Sequence, residues 1–270
     1  MALTSRLAII AGGLGGLGSA TGKLLRAQGA RLALLYAPSE ENKKLDLLRE
    51  GYGRSDFPGG EVRTYACDIT SPASVQSAFS AITSDLGDSG DGAAAAAAEK
   101  TFPSILINSA GYVSLSPMED TPPEETARNL NVNILGPMLC SQAFARLYMK
   151  AAASASASAE APKAPPGRIV SVSSQAAKAA LWHHGAYCAS KAGLEGLTRS
   201  MASEWGPRGI TANTVSPTIA WTYLGRKAWG APGVADAFLK QIPTGRFVMP
   251  DEVAETIAFL CQDSSGMING

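Results

Sequence analysis

Short runs of Leu, Ile and Val alternate along the chain with longer stretches whose apolar positions recur every three or four residues. The short runs predict strands over 7–11, 31–36, 62–67, 104–108, 168–173 and 211–216. The longer stretches predict helices over 16–28, 40–50, 72–86, 124–133, 136–150, 187–205 and 251–260. Ser71 and Pro72 suit the cap and first turn of the third helix. Strands that alternate with helices and are apolar on both faces belong in a parallel sheet covered on both sides. The expected fold class is therefore α/β, a doubly wound parallel sheet that binds its ligand beyond the C-terminal strand ends.

Two stretches break this alternation. Residues 87–100 hold a six-alanine run, and residues 151–166 are rich in Ala, Ser and Pro. Both read as surface insertions between a helix and the next strand. The 270 residues then fit one domain, 1–270, with no room for a second. Hydrophobic residues make up 46% and charged ones 17%, so the chain is not of the disordered class. Its 23 Lys+Arg balance 23 Asp+Glu, which excludes a nucleic-acid binder that relies on a basic field. No apolar run reaches the ~18 residues of a membrane span. The apolar run after Arg6 breaks into glycines too early for a signal peptide. Cys67, Cys140, Cys188 and Cys261 form no C-x-x-C pair, and the two histidines are the adjacent His183 and His184. That argues for no metal site and for free thiols in a reducing, cytoplasmic compartment.

Five of the 28 glycines fall within residues 12–18, between the first strand and the first helix. Gly13, Gly15 and Gly18 have the G-x-G-x-x-G spacing, and Gly12, Gly16 and Gly18 have G-x-x-x-G-x-G. In either reading glycine lets the backbone turn tightly and approach a diphosphate. The helix N-terminus supplies free N–H groups and a positive dipole end. Placed between a strand and a helix near the N-terminus, the loop is expected to bind a dinucleotide rather than to be a plain glycine-rich turn, in a single Rossmann-type sheet with helices on both faces.

Tyr187 and Lys191 lie four residues apart at the start of a helix and so share one face. A nearby ammonium favours the phenolate, which suits the Tyr to general acid or base work. Ser174 ends the preceding strand thirteen positions earlier, where its hydroxyl can return beside the phenol to bind a carbonyl or alkoxide oxygen.

Taken in order, these motifs resemble the short-chain dehydrogenases/reductases over nearly the whole chain. Gly12, Gly16 and Gly18 match the family's T-G-x-x-x-G-x-G loop. Asp68 matches the Asp that contacts adenine, and Asn108-Ser109-Ala110-Gly111 resembles N-N-A-G. Asn133, Ser174, Tyr187 and Lys191 match the catalytic tetrad. Pro217 and Thr222 match the segment at the nicotinamide amide. The resemblance implies that Tyr187 exchanges a proton with the substrate oxygen while Ser174 holds that oxygen. Lys191 would lower the Tyr187 pKa and bind the ribose hydroxyls, and Asn133 would position a water linking Lys191 to solvent. Gly15, Leu17, Tyr36, Ser39, Ile69 and Ile219 complete the implied cofactor contacts.

Ala11, Ser109 and Thr218 depart from the family's Thr, Asn and Gly without removing a catalytic group. The family usually continues past the place where this sequence stops, residues 265–270, into a last strand; a truncated or omitted tail is the expectation. Tyr36 stands where an NAD enzyme carries an acid, and Tyr36-Ala37-Pro38-Ser39 resembles the Y-A-N-S loop of fungal naphthol reductases, which use NADPH. Ser39, Lys43 or Lys44 would meet a 2′-phosphate. NADP(H) is therefore expected over NAD(H). The substrate lid is expected at 219–247, with Trp221, Tyr223, Trp229 and Phe238, and with Arg226 and Lys227. Gln175, Trp182 and His184 are the further substrate candidates. The expected partner is a small carbonyl or alcohol (a ketose or polyol, a 3-oxoacyl thioester or a small ketone), with neither nucleic acid nor membrane, in a homo-oligomer, dimer or tetramer. The alternative is a non-catalytic nucleotide-binding sensor or scaffold. Such relatives usually lose the Tyr or the Lys, and both remain here.

Overall fold

A computed structural model of the chain describes residues 2–57, 61–87, 101–156, 163–222, 225, 226, 233 and 235–270. Six strands form one parallel sheet: β1 (Arg6–Ala11), β2 (Arg31–Tyr36), β3 (Val62–Ala66), β4 (Phe102–Asn108), β5 (Gly167–Val172) and β6 (Ile210–Val215). Their order is β3-β2-β1-β4-β5-β6. The chain winds outward from β1 in one direction and from β4 in the other, which leaves a crevice above that switch point.

The strands are apolar on both faces because both are covered. Ala8, Ile10, Leu32, Leu34, Ile105 and Ile107 pack against helices α1 (Gly16–Ala27) and α2 (Lys44–Tyr52) and the C-terminal helix Pro250–Cys261. The alternate residues Leu7, Ile9, Ala33, Leu35 and Leu106 face α3 (Pro72–Gly87), α5 (Gly136–Ala155) and α6 (Gly185–Trp205). Each such Leu or Ile taken from water contributes about 1.5–3 kcal/mol. α4 (Pro123–Leu130) packs against α6 near the crevice.

Local differences from the expected elements have physical causes. Pro38 opens a 3₁₀ turn, Pro38–Lys43, so α2 starts only at Lys44. The predicted 124–133 helix ends at Leu130, and a π-helical turn, Asn131–Leu135, joins it to α5. α5 runs on to Ala155, since alanine is the best helix former, so the first five residues of the 151–166 stretch are helix. Residues 157–162 of that stretch, and residues 88–100, lie outside the described residues.

At the opposite end of the sheet from the crevice, Arg6 is buried. It donates to Ser104 Oγ (2.7 Å), Pro166 O (2.7 Å), Cys261 O and Asp263 Oδ1 (both 3.1 Å). Residues 268–270 run beside β6, where Gly270 N–H donates to Ala212 O at 2.9 Å. Among the described residues no helix is long and apolar enough to cross a membrane.

Candidate active site

A cavity of about 1280 Å³ opens where the strands end. The loop after β1 forms part of its floor. Gly12 takes φ +77°, and a Cβ there would sit 2.7 Å from Ala110 N. Both Gly12 and Gly13 donate to Leu35 O, which ties the loop to β2. Gly12, Gly15, Gly16 and Leu17 line the wall. Gly18 does not; it lies against Gly12, where a Cβ would come within 2.1 Å of Gly12 O. Its part is to let α1 approach the loop. The first turn of α1 carries no acidic side chain, so its positive end faces the cavity uncancelled. This cradle fits a dinucleotide diphosphate.

Tyr36 and Ser39 line the cavity beyond β2. The Tyr36 hydroxyl donates to Glu41, whose other oxygen pairs with Lys44 at 2.5 Å. Lys44 Nζ lies 5.4 Å from the Tyr36 ring centre. Burial, then the Glu41 bond, pushes the Tyr36 phenol up. Asp68 and Ile69 line the wall, and Asp68 Oδ1 accepts from Thr70 N (2.9 Å) and Oγ1 (2.7 Å), holding the turn after β3. Ala110 and Gly111 are also on the wall, whereas Asn108 is buried behind it. Asn108 Nδ2 donates to Ser141 and Ser171, joining β4 to α5 and β5.

Ser174, Tyr187 and Lys191 all line the cavity. Lys191 is 4% exposed, donates from Nζ to Val172 O at 2.8 Å, and lies 5.7 Å from the Tyr187 ring centre. Burial lowers its pKa to about 8. Burial also raises the Tyr187 pKa, and the opposing pull comes from the Ser174 hydroxyl rather than from Lys191. Asn133 sits in the π turn behind the wall. Its Nδ2 donates to Tyr112 O (2.7 Å) and Ser190 Oγ (2.9 Å), and its Oδ1 accepts from Tyr112 N (2.8 Å). A Cβ on Gly111 would touch both Asn133 Oδ1 (3.5 Å) and Lys191 Nζ (3.7 Å).

Pro217, Thr218, Ile219 and Thr222 line the same cavity, with Gln175, Trp182, His184 and Phe238. The Trp221 ring stacks on Phe247 at 5.3 Å and is not part of the wall, so its role there is packing. Tyr223, Lys227 and Trp229 lie outside the described residues. The sequence reading missed Ser190, Val172, Tyr112 and Arg128. Arg128 sits 4.1 Å over the Tyr112 ring at the cavity wall. Only Ser190 had a signal, one position before Lys191 on the same helix.

Residues 12–270 match the family model described as enoyl-(acyl carrier protein) reductase. The chain is 36% identical over 268 residues to a D-threitol dehydrogenase of Mycolicibacterium smegmatis, covering 99% of this chain and 90% of that one. It is 34% identical to an L-xylulose reductase of Bos taurus (99% and 93% covered). It is 31% identical to an NAD-dependent glycerol dehydrogenase of Listeria innocua (99% and 91%). A short-chain dehydrogenase/reductase of Serratia marcescens superposes with a TM-score of 0.79 at 27% identity, covering 100% of this chain and 95% of that one. All three curated relatives are named as enzymes, which leaves the sensor or scaffold alternative without support. The chain belongs to the short-chain dehydrogenases/reductases and is an oxidoreductase acting between a carbonyl and its alcohol.

Proposed function

We propose that the protein is an NADP(H)-dependent reductase of small ketoses and dehydrogenase of the matching polyols. The observation that carries this reading is the placing of Ser174, Tyr187 and Lys191 on one wall of the cavity that the glycine loop floors. Tyr187 gives its proton to the carbonyl oxygen in reduction and takes it back in oxidation. Ser174 holds that oxygen by a hydrogen bond. Lys191 binds the nicotinamide ribose hydroxyls, and Asn133 fixes the segment behind it through Tyr112 and Ser190. Bound in the cradle, the nicotinamide supplies or accepts the hydride. The names of the threitol, xylulose and glycerol enzymes favour polyols over 3-oxoacyl thioesters. Gln175, Trp182 and His184 are the proposed substrate contacts. A soluble cytoplasmic homo-oligomer completes the proposal.

The absence of an acid at Tyr36 supports NADP(H), with Ser39, Lys43 or Lys44 facing the 2′-phosphate. The second reading, NAD(H), is favoured by Glu41, which already pairs with Lys44, and by the name of the Listeria relative. Absorbance assays over ketoses, simple ketones and oxoacyl thioesters, with NADPH and NADH, test both. A higher kcat/KM with NADPH is expected, and Lys44→Gln should reduce it about tenfold while leaving NADH nearly unchanged, as for loss of one charged hydrogen bond. A clear NADH preference in the wild type overturns the cofactor assignment.

The pH profile follows from the two buried groups. Burial raises Tyr187, so the phenol keeps its proton through the neutral range and remains an acid for reduction. Lys191 has its pKa lowered to about 8, so its positive charge is lost as pH rises through that value. The kcat/KM for ketone reduction should therefore be flat below pH 7 and fall on the alkaline side from about 8. A profile flat to pH 9.5 contradicts the role given to Lys191.

A further inference from the structure

Glu195 lies one turn beyond Lys191 on α6, so Tyr187, Lys191 and Glu195 follow one another at intervals of four along one face. The Glu195 side chain is only 12% exposed. A carboxylate taken from water needs donors or a cation close by. Among the described residues its one ion pair is with Lys178, at 4.0 Å, and that lysine is 75% exposed, so the pair is weak. Two hydroxyls serve the carboxylate instead. Ser216 Oγ donates to Glu195 Oε1 at 2.9 Å. Ser173 Oγ stands 3.5 Å from the same oxygen and 3.4 Å from Lys191 O, so its single proton is shared between them.

The two serines each introduce a part of the cavity wall. Ser173 follows β5 and precedes Ser174 and Gln175; Ser216 follows β6 and precedes Pro217, Thr218 and Ile219. The regular pairing of β5 with β6 ends at Val172 and Val215. Beyond it, Ser173 N–H donates to Val215 O at 2.8 Å and Gln175 N–H to Pro217 O at 3.0 Å. Glu195 adds a side-chain tie at the same place, from the helix that carries Tyr187 and Lys191. The glycine loop follows β1, and Tyr36 and Asp68 stand at the ends of β2 and β3. A dinucleotide laid over those three strand ends has its other half above β5 and β6.

We infer that Glu195 is a positioning residue: its carboxylate clamps the loop after β5 to the loop after β6 and so sets the spacing between Ser174 and the wall segment 217–219. The inference rests on the proposed reductase function, in which Ser174 holds the substrate oxygen and the reacting half of the cofactor lies against that segment. Glu195 is not part of the cavity wall, so it acts through the serines.

Glu195→Leu keeps the bulk and removes the acceptor. Ser216→Ala removes the donor at an exposed position, where no core packing is lost, and so reads the same clamp even if the leucine variant fails to fold. With dihydroxyacetone as the ketose and saturating NADPH, kcat should fall about thirtyfold in Glu195→Leu and about tenfold in Ser216→Ala, with KM within about threefold of wild type, because a small misplacement of reacting groups costs rate. The double variant should be no slower than Glu195→Leu, since both changes break one tie. Glu195→Gln keeps an acceptor oxygen and should stay within about threefold of wild type. Binding gives a readout without turnover. Glu195→Leu should raise the Kd for NADPH about fivefold and leave that for 2′,5′-ADP, which lacks the nicotinamide half, unchanged. Wild-type kcat in both single variants overturns the inference. So does a loss of 2′,5′-ADP affinity equal to that of NADPH, since the whole cavity would then have loosened. A glutamine variant as slow as leucine overturns it as well, because the charge and not the hydrogen bond would then matter. A wild type that reduces no ketone removes the reductase reading, and the comparison of NADPH with 2′,5′-ADP then decides the clamp by itself.

Discussion

Tyr187→Phe should lower kcat for ketone reduction by at least about a thousandfold, within the range of a lost general acid. It should leave the melting temperature and the NADPH dissociation constant within about twofold of wild type. The phenol is the group on the cavity wall that can give a proton to the substrate oxygen while held by a neighbouring hydroxyl, that of Ser174. Phenylalanine keeps the ring and its packing, so the loss falls on proton transfer alone. Lys191 spends one of its three N–H groups on Val172 O and is assigned the ribose hydroxyls, so its part is to support the phenol rather than to replace it. Ser174 has its hydroxyl oxygen accepting from Ala176 N–H at 3.1 Å, which fixes its place beside the phenol. Stopped-flow absorbance with saturating NADPH, alongside cofactor titration by fluorescence, separates the two quantities. Turnover within tenfold of wild type would mean that another group supplies the proton.

The sheet was legible because its signal is local. A strand such as Ile105 to Ile107 must be apolar on both sides, and a six-residue window shows that. The catalytic trio was legible for a similar reason, since Tyr187 and Lys191 are one helical turn apart and Ser174 ends the strand before them. What escaped depends on distant partners. Arg6 lies inside β1, though the sequence reading began that strand one residue later, since arginine is rarely buried unless paired. Its partner Asp263 is 257 residues away. Trp221 looked like a substrate contact until Phe247, on the next segment, took its ring face. The π turn at Asn131–Leu135 changes no hydrophobic period that a pattern can register, yet it aims Asn133 at Tyr112 and Ser190. The left-handed His183 is invisible for another reason: histidine does not demand that conformation, and Ser116, far along the chain, helps hold it.

Gly18→Ala should cost more than any other single methyl in the cofactor loop. Its Cβ would sit 2.1 Å from Gly12 O, 2.9 Å from Gly12 C and 3.1 Å from Gly13 Cα, all backbone atoms that no rotamer can move aside. An ordinary carbon–oxygen contact is about 3.3 Å or more, so α1 must slide by roughly 1 Å or the loop must open. Overpacking of this kind costs about 3 kcal/mol, which for a chain of this size is about 10 °C in melting temperature. Either movement also displaces the helix N-terminus that faces the diphosphate, so NADPH affinity should fall by at least about a hundredfold. Gly15→Ala provides the contrast. Gly15 already has φ −77°, and its Cβ would meet only Gly12 O at 3.3 Å, on the cavity wall. That variant should keep nearly the wild-type melting temperature and lose affinity through crowding of the cofactor alone. Thermal unfolding without cofactor, paired with NADPH titration, distinguishes the two. If Gly18→Ala melts with the wild type and binds NADPH as well, the close approach of α1 to the loop is not what places the diphosphate.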